Sequence, residues 1–264
     1  MFNSLAVVGD ITGIPKLLQH IPPNKITVLI AASIRPQYIN ELTSVAQRIS
    51  KPLLIQPKYK SPEYNNFVQY LKSHKIDMLV CCSYSMLIRP DVLEIVKYNA
   101  INIHSSLLPK NRGPNPTQWS IIKGEKNTGV TMHYMDCGLD TGNIICQEKV
   151  SIEDDDSWVS VSKKLDLATN KIIEKSTPNI LSGNHNSTPQ NNKDATINFR
   201  LNKEYPRIEF SKMNILDIYN LIRAQIPPLG GAYYIDKKLG RVTIDTMITK
   251  DQVALLKKKQ LPPE

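Results

Sequence analysis

Short apolar runs alternate with amphipathic segments along the first hundred residues. The runs are typical of buried strands, whereas the segments between them carry apolar residues at helical spacing. We predict five strands, at residues 4–8, 25–32, 52–55, 76–82 and 100–104, and four helices, at 14–21, 37–49, 62–74 and 91–98. This alternation predicts an α/β fold.

Strands that alternate with helices usually pair in parallel and carry helices on both faces of their sheet. The sequence therefore predicts a Rossmann-like, mostly parallel sheet. Because ligands of such sheets gather at the carboxyl ends of the strands, functional residues are expected at those ends.

The second half of the chain has a different order of elements. We predict a helix at 117–122, strands at 128–136 and 144–152, and a helix from Ser157 to about Glu174. Residues 176–194 are polar and rich in Pro, Asn and Ser, which is typical of a connection between domains.

A short tail follows this polar stretch. Its pattern predicts a helix at 212–224 and strands at 232–235 and 241–247. We therefore predict a catalytic domain at residues 1–180, a linker at 181–199 and a small α+β accessory domain at 200–264.

The length and composition agree with one main core and a small appendage. No apolar run approaches the roughly 20 residues that span a bilayer, and the first residues resemble no secretion signal, so we expect a cytoplasmic protein without a membrane partner. The cysteines, Cys81, Cys82, Cys137 and Cys146, do not have the spacing of a metal site. No bound metal is predicted.

Positive charge is concentrated in the tail. The chain has a formal net charge of +9, and residues 200–264 hold 12 lysines and arginines against 7 aspartates and glutamates. Such a tail suits a polyanionic partner, a nucleotide diphosphate or an RNA backbone, although a solvated basic surface without a ligand gives the same count.

The most informative residues are Asn102 and His104, at the carboxyl end of a predicted strand. They are two positions apart, so their side chains leave the same face of the strand. Histidine exchanges a proton near neutral pH, and an asparagine amide donates a hydrogen bond to an oxygen that becomes anionic. Acyl transfer to an amine requires both groups.

A carboxylate completes this set. Asp140 lies in the glycine-flanked sequence GLDTG (138–142), directly after a predicted strand, where it can reach a histidine on a neighbouring strand. A nearby carboxylate would orient His104 and favour its protonated form. Taken singly, a histidine at a strand end is often a hydrogen-bonded structural group, and an aspartate in a glycine-rich turn is often there to form the turn.

Three motifs in this order resemble the signature of the folate-dependent formyltransferases. They are NIHSSLLP, RGPNP and GVTMHYMDCGLDTG, and Asn102 precedes Asp140 by 38 residues, as in that family. The family includes methionyl-tRNA formyltransferase, glycinamide ribonucleotide formyltransferase and the sugar N-formyltransferases of surface-polysaccharide and O-antigen synthesis. The resemblance is strongest from about residue 76 to 165.

The resemblance implies a catalytic triad of Asn102, His104 and Asp140, with N10-formyltetrahydrofolate as the formyl donor. It also implies that two loops form the pterin pocket, contributed by Ser85, Met86, Leu87 and Ile88 and by Asp136, Cys137, Gly138 and Leu139. Near the acceptor it implies a loop formed by Arg112, Gly113, Pro114, Asn115 and Pro116.

Within the family, the RGPNP loop and the tail segments YPRIEF and NLIRAQIPPLGGAYY resemble the enzymes that act on nucleotide-linked 4-amino sugars. We therefore expect a dTDP-4-amino-4,6-dideoxyhexose as substrate. The tail is also shorter than the tRNA-binding barrel of methionyl-tRNA formyltransferase, which argues against a tRNA substrate. Candidate contacts to the nucleotide are Gly9, Asp10, Thr12, Gly13, Arg207 and Arg223, although either arginine could instead form an interdomain salt bridge.

Three alternatives stay open at this point. Formylation of methionyl-tRNA is favoured by the basic tail. Hydrolysis of the folate, as in formyltetrahydrofolate deformylase, would require the preceding regulatory domain of that enzyme, which we do not find in this chain. A non-enzymatic scaffold would require all three polar residues to be incidental. The edges of the small C-terminal strands could also pair across a homodimer.

Overall fold

The computed structural model describes residues 2–183 and 186–261. In these ranges the strands are β1 (Leu5–Gly9), β2 (Ile26–Ala32), β3 (Leu53–Gln56), β4 (Met78–Cys82), β5 (Ala100–His104), β6 (Asn127–Tyr134), β7 (Ile144–Ser151), β8 (Ala232–Asp236) and β9 (Gly240–Ile244). The α-helices are α1 (Gly13–Leu18), α2 (Ile39–Arg48), α3 (Tyr64–Ser73), α4 (Pro90–Ile95), α5 (Pro116–Ile122), α6 (Trp158–Ser182), α7 (Ile215–Arg223) and α8 (Lys250–Gln260).

Seven strands form one sheet in the order β3-β2-β1-β4-β5-β6-β7. The pairs from β3 to β5 are parallel, and β6 is antiparallel to β5. The predicted α/β class and the mostly parallel, Rossmann-like sheet are therefore confirmed. Strand order reverses between β1 and β4, which is the point where ligands of open α/β sheets commonly bind.

The core of the sheet explains why the apolar runs form strands. All five residues of β1 and all five of β4 are buried, as expected for central strands that are covered on both faces. One apolar cluster packs strand residues such as Val8 and Leu79 against Phe67 and Leu71 of α3 and Leu93 of α4.

The described chain divides into two compact units that interleave in sequence. The first contains the residues up to His104, Val130–Glu148 and Thr169–Lys193. The second contains Ser105–Gly129, Lys149–Ala168 and the chain from Asp194 onward. The domain boundaries predicted at 180 and 200 stay predictions.

The second unit has its own small core. Helices α7 and α8 and the antiparallel hairpin β8–β9 share a buried cluster that includes Phe210, Ile218, Leu221 and Tyr234. Both helices begin with a capping box, formed by Asn214 and Asp217 in α7 and by Thr249 and Gln252 in α8.

Several elements differ from the sequence prediction. Helix α8 was not predicted, α6 continues to Ser182 rather than ending near Glu174, and α7 begins at Ile215 rather than 212. Three further elements, α1, α4 and β9, each end three residues earlier than predicted. The predicted linker is also paired: Thr188 forms a bridge with Ile144, and Ile197 forms one with Arg112. Residues 184 and 185 of the linker and 262–264 of the tail lie outside the described residues.

No helix within the described ranges is both long enough and apolar enough to cross a membrane.

Candidate active site

Strand β5 presents the first two candidate residues on one face of the sheet. In its antiparallel pairing with β6, Asn102 lies opposite His133 and His104 lies opposite Thr131. Facing positions of an antiparallel pair put their side chains on the same face, so Asn102, His104 and His133 share it. His104 is the last residue of the strand and is buried.

The loop between β6 and β7 brings the carboxylate to this face. It begins and ends close together, since the Tyr134 amide donates to the Asn143 carbonyl. Within it, the Asp136 carboxylate accepts hydrogen bonds from the Gly138 amide and the Thr141 hydroxyl. These bonds tighten the turn that carries Asp140, whose backbone is left-handed with φ of 53°.

Two further features hold the loop in place. A Cβ on Gly142 would lie 2.0 Å from the Tyr134 carbonyl oxygen, so only glycine fits this close approach. From the chain after α6, the Gln190 amide donates to the carbonyls of Asp140 and Gly142, at 2.8 and 2.7 Å. The backbone on both sides of the carboxylate is therefore anchored.

The three predicted residues lie together. Asp140 Oδ2 is 3.7 Å from His104 Nδ1. The side-chain amide of Asn102 contacts His133, and His133 Nε2 lies 3.7 Å from Asp140 Oδ1. The side chains of His104 and Asp140 are 10% and 15% exposed, so water screens their interaction only weakly. A carboxylate at this distance can orient the imidazole.

His133 was not among the predicted site residues. It is 2% exposed, and burial lowers its pKa to about 4, against the opposing effect of the Asp140 carboxylate. The ring is therefore neutral near pH 7. The sequence did hold a signal, because His133 lies seven positions before Asp140 on the strand that leads into its loop.

The two loops predicted to hold the pterin follow β4 and β6, the neighbours of β5 on either side. In the first loop, Ser85 accepts from Arg35, the Met86 sulfur from Ser33, and the Leu87 carbonyl from Gln56. The Leu87 side chain is 58% exposed, whereas Ile88 belongs to the core. No acceptor within the described residues takes a hydrogen bond from the backbone amides of Met86, Leu87 and Ile88.

The second loop also exposes an apolar side chain. The side chain of Leu139 is 41% exposed, and Cys137 is exposed with its sulfur 3.6 Å from the Tyr98 hydroxyl. Exposed apolar side chains beside unused backbone N–H groups fit a flat heterocycle with a hydrogen-bonding edge. The residues present therefore suit a pterin ring.

The polar residues of the turn after β1 form hydrogen bonds with one another. Asp10 Oδ1 accepts hydrogen bonds from the Thr12 amide and hydroxyl and from the Gly13 amide. Gly9 and Gly13 have no room for a Cβ, since it would lie within 2.4 Å of the Cys82 carbonyl oxygen. Close packing between strand and turn explains these residues without a ligand, and their contact with a nucleotide stays a prediction.

The RGPNP loop lies in the second unit and is held by the predicted linker. Arg112 exchanges backbone hydrogen bonds with Thr196 and Asn198, and its side chain is buried. Gly113 and Asn115 both have positive φ, and the Asn115 side chain accepts from the Leu201 amide. Pro116 then starts α5, as its fixed φ allows.

The two candidate phosphate-binding arginines differ in surroundings. Arg223 is 4% exposed and donates to the Glu153 and Asp156 carbonyls and to the Asn220 side chain, contacts that give it a structural role. Its contact with a phosphate stays a prediction. Arg207 is exposed and lines a cavity of about 630 Å³ in the second unit. The other charged residues that line this cavity are Lys237, Lys238 and Lys259, together with Glu209 and Asp236.

Solved structures share the fold along most of the chain. A 4-N formyltransferase from Francisella tularensis superposes with a TM-score of 0.75 at 21% identity, covering 94% of this chain and 98% of that one. An N-formyltransferase from Helicobacter canadensis, in complex with folinic acid and dTDP-3-aminofucose, gives a TM-score of 0.65 at 20% identity, covering 89% and 86%. At such identities the likeness concerns the fold.

Sequence comparison reaches further. The methionyl-tRNA formyltransferase of Acetivibrio thermocellus is 35% identical over 188 residues, which make up 70% of this chain and 59% of that protein. The bifunctional polymyxin resistance protein ArnA of Wigglesworthia glossinidia brevipalpis is 38% identical over 191 residues, 69% of this chain and 28% of that protein. The chain thus spans less than two thirds of the length of these two relatives.

A family model gives the assignment itself. The model of the formyl transferase family matches residues 14–177, which include β5 and the whole loop that carries Asp140. The chain belongs to the formyl transferase family.

Proposed function

We propose that this protein transfers a formyl group from N10-formyltetrahydrofolate to the amine of a nucleotide-linked amino sugar. The observation that carries the formyl-transfer step is the cluster of Asn102, His104 and Asp140 on one face of β5, with Asp140 Oδ2 3.7 Å from His104 Nδ1. Family membership supports the same chemistry.

Each residue of the cluster has one role. The folate supplies an activated formyl carbon. Asn102 donates a hydrogen bond to the formyl oxygen, which becomes anionic when the amine nitrogen bonds to the carbon. His104 accepts the proton that the amine loses and returns one to the departing folate nitrogen, and the ring atom assigned to this exchange is Nε2, because Nδ1 faces Asp140. Asp140 holds the ring in this orientation and stabilises its charged form.

The pterin would lie between the loops that follow β4 and β6. The unused amides of Met86, Leu87 and Ile88 and the exposed side chains of Leu87 and Leu139 support this placement. The amides would bind the polar edge of the ring, and the leucines would contact its faces.

For the acceptor we propose a dTDP-4-amino-4,6-dideoxyhexose, used in the cytoplasm for surface polysaccharide synthesis. Two observations support an anionic nucleotide sugar. The fold shared with a 4-N formyltransferase includes the C-terminal elements, and the cavity that Arg207 lines carries four cations, Arg207 included, against two carboxylates. A basic cleft attracts a diphosphate.

The second candidate is formylation of methionyl-tRNA. It is favoured by the 35% identity to methionyl-tRNA formyltransferase and by the basic tail, which would suit an RNA backbone. In either case the formyl-transfer centre is the same.

One assay separates the candidates. The purified protein is given N10-formyltetrahydrofolate with dTDP-, UDP- or GDP-linked amino sugars or with charged initiator tRNA, and release of tetrahydrofolate is followed. We expect turnover with a dTDP-4-amino sugar. Turnover with the tRNA alone would replace the acceptor, and release without any acceptor would indicate hydrolysis. A homodimer stays a prediction, for which light scattering is the measurement.

A further inference from the structure

His133 lies beside Asn102, at the facing position of the neighbouring strand, and has no role in the triad. Its ring Nε2 is 3.2 Å from the Asn102 amide nitrogen, and its Nδ1 is 2.7 Å from the Tyr134 carbonyl oxygen. The ring is 2% exposed, so protein groups rather than water satisfy both nitrogens.

These two contacts determine which hydrogen-bonding role each atom has. The Tyr134 carbonyl can only accept, so Nδ1 carries the ring proton. In a neutral ring Nε2 is then the acceptor, and the group facing it has to donate. The Asn102 side chain is therefore oriented with its NH₂ group, not its oxygen, towards His133.

His133 is also the sole side-chain partner of Asn102 within the described residues. No other hydrogen bond to the Asn102 carboxamide is present in the described ranges. If the carboxamide rotated by 180°, its oxygen would face the Nε2 lone pair and one hydrogen bond would be lost. A flipped asparagine would offer an acceptor where the reaction requires a donor.

The neutral state of His133 also matters for Asp140. Asp140 Oδ1 lies 3.7 Å from His133 Nε2, and its other oxygen lies 3.7 Å from His104 Nδ1. A proton on Nε2 would draw the carboxylate to His133 and displace the Asn102 amide. Because burial lowers the pKa of His133 to about 4, this nitrogen stays an acceptor and the carboxylate remains available to His104.

We propose that His133 is a positioning residue, whose Nε2 accepts a hydrogen bond from Asn102 and so keeps a carboxamide N–H directed at the formyl oxygen. This inference rests on the proposed function, since His133 acts on Asn102, the proposed donor to the formyl oxygen.

Two substitutions separate positioning from packing. In His133→Leu the acceptor is removed, and we expect kcat to fall by about 100-fold, the effect of losing one oxyanion donor, with KM for the folate changed by less than about twofold. In His133→Gln the side-chain oxygen replaces Nε2 as acceptor, and we expect at least about tenfold of the loss to be recovered. Met132→Leu, on the opposite face of the same strand, is the control.

A double-mutant cycle tests the route through Asn102. In an Asn102→Ala background, His133→Leu should cause no further loss, because the group that it positions is gone. Additive losses, normal kcat in His133→Leu, or a kcat in His133→Gln as low as in His133→Leu would each overturn the inference.

The tautomer of His133 can be measured without an activity assay, which tests the inference even if a variant is unstable. ¹⁵N NMR of the wild-type protein should show His133 with Nδ1 protonated and Nε2 unprotonated, and the Nε2 resonance should shift in Asn102→Ala. The opposite tautomer would overturn the inference. Full activity of Asn102→Ala would instead reject the proposed function, whereas a loss in Asn102→Ala with normal turnover in His133→Leu rejects only the role of His133.

Discussion

Asp140 Oδ2 lies 3.7 Å from His104 Nδ1, although the two residues are 36 positions apart in the sequence and on different elements. The contact exists because the β6–β7 loop folds back over the face of β5. The carboxylate and the imidazole are both largely buried, so water screens their interaction only weakly and the carboxylate can orient the ring.

This pair gives the first prediction. His104→Ala and Asp140→Asn should each lower kcat by about 10² to 10⁴, because one removes the proton-transferring group and the other its orienting charge. Turnover is followed with the preferred acceptor, and circular dichroism shows that the variants are folded. His74→Ala, at an exposed histidine of the same unit, should keep wild-type turnover. Near-normal rates in both triad variants would reject the assigned roles.

Gly142 gives a prediction about loop geometry. In Gly142→Ala the new Cβ would lie 2.0 Å from the Tyr134 carbonyl oxygen, so the loop has to shift and Asp140 moves away from His104. We expect kcat to fall at least about tenfold, since a displacement of about 1 Å at a catalytic group is costly.

The matched control for Gly142 is Gly230→Ala. A Cβ at Gly230 meets no atom within 4 Å and the backbone is not left-handed, so both rate and thermal stability should be unchanged. Equal effects of the two substitutions would mean that a shifted loop does not explain the loss.

His133 makes stability depend on pH. Its pKa is lowered to about 4 in the folded protein, whereas an unfolded histidine titrates near 6.5. Between these values the unfolded state binds the extra proton, so the free energy of unfolding should decrease as pH falls from about 6.5 to about 4. Well above pH 6.5 His133 is unprotonated in both the folded and the unfolded state, so the free energy of unfolding no longer depends on its titration.

Denaturant titrations at several pH values test this dependence. His133→Gln lacks the group, so its stability should fall less over this range, by up to about 3 kcal/mol at the acid end. Parallel pH curves for the two proteins would contradict a neutral, buried His133.

Arg207 tests the anionic acceptor. Arg207→Glu reverses one of four positive charges at the cavity of the second unit, so we expect KM for the nucleotide sugar to rise by about tenfold or more while KM for the folate stays constant. Arg48→Glu makes the same charge change at an exposed position of α2 and should alter neither constant. A change confined to folate binding would argue against a phosphate-binding role.

Much of the fold could be predicted because its signals are local. The central strands are continuous apolar runs, and α3 buries Tyr64, Phe67 and Leu71 at helical spacing, so pattern alone was sufficient. Helix α8 was missed because Val253 is its one fully buried residue and its lysines resemble a solvated surface. Its place is determined by packing against α7, which no local pattern reports.

The end of α6 shows the same limit. Pro178 and the polar residues around it indicate a helix end near 174, but the helix continues to Ser182, where Leu181 accepts a backbone hydrogen bond from Phe2. A contact so distant in sequence can override the local preference of a proline for a helix end.

The fold class followed from strand and helix periodicity, and the family followed from three motifs whose residues are close together in the chain. The same motifs predicted Asn102, His104 and Asp140 as the site, which stays a prediction until the variants are assayed. Three contacts are visible only in the folded chain: Asp140 lies near His104, His133 contacts Asn102, and Arg223 donates to backbone carbonyls. Those facts depend on strand register and loop closure, which arise from contacts between residues far apart in the chain.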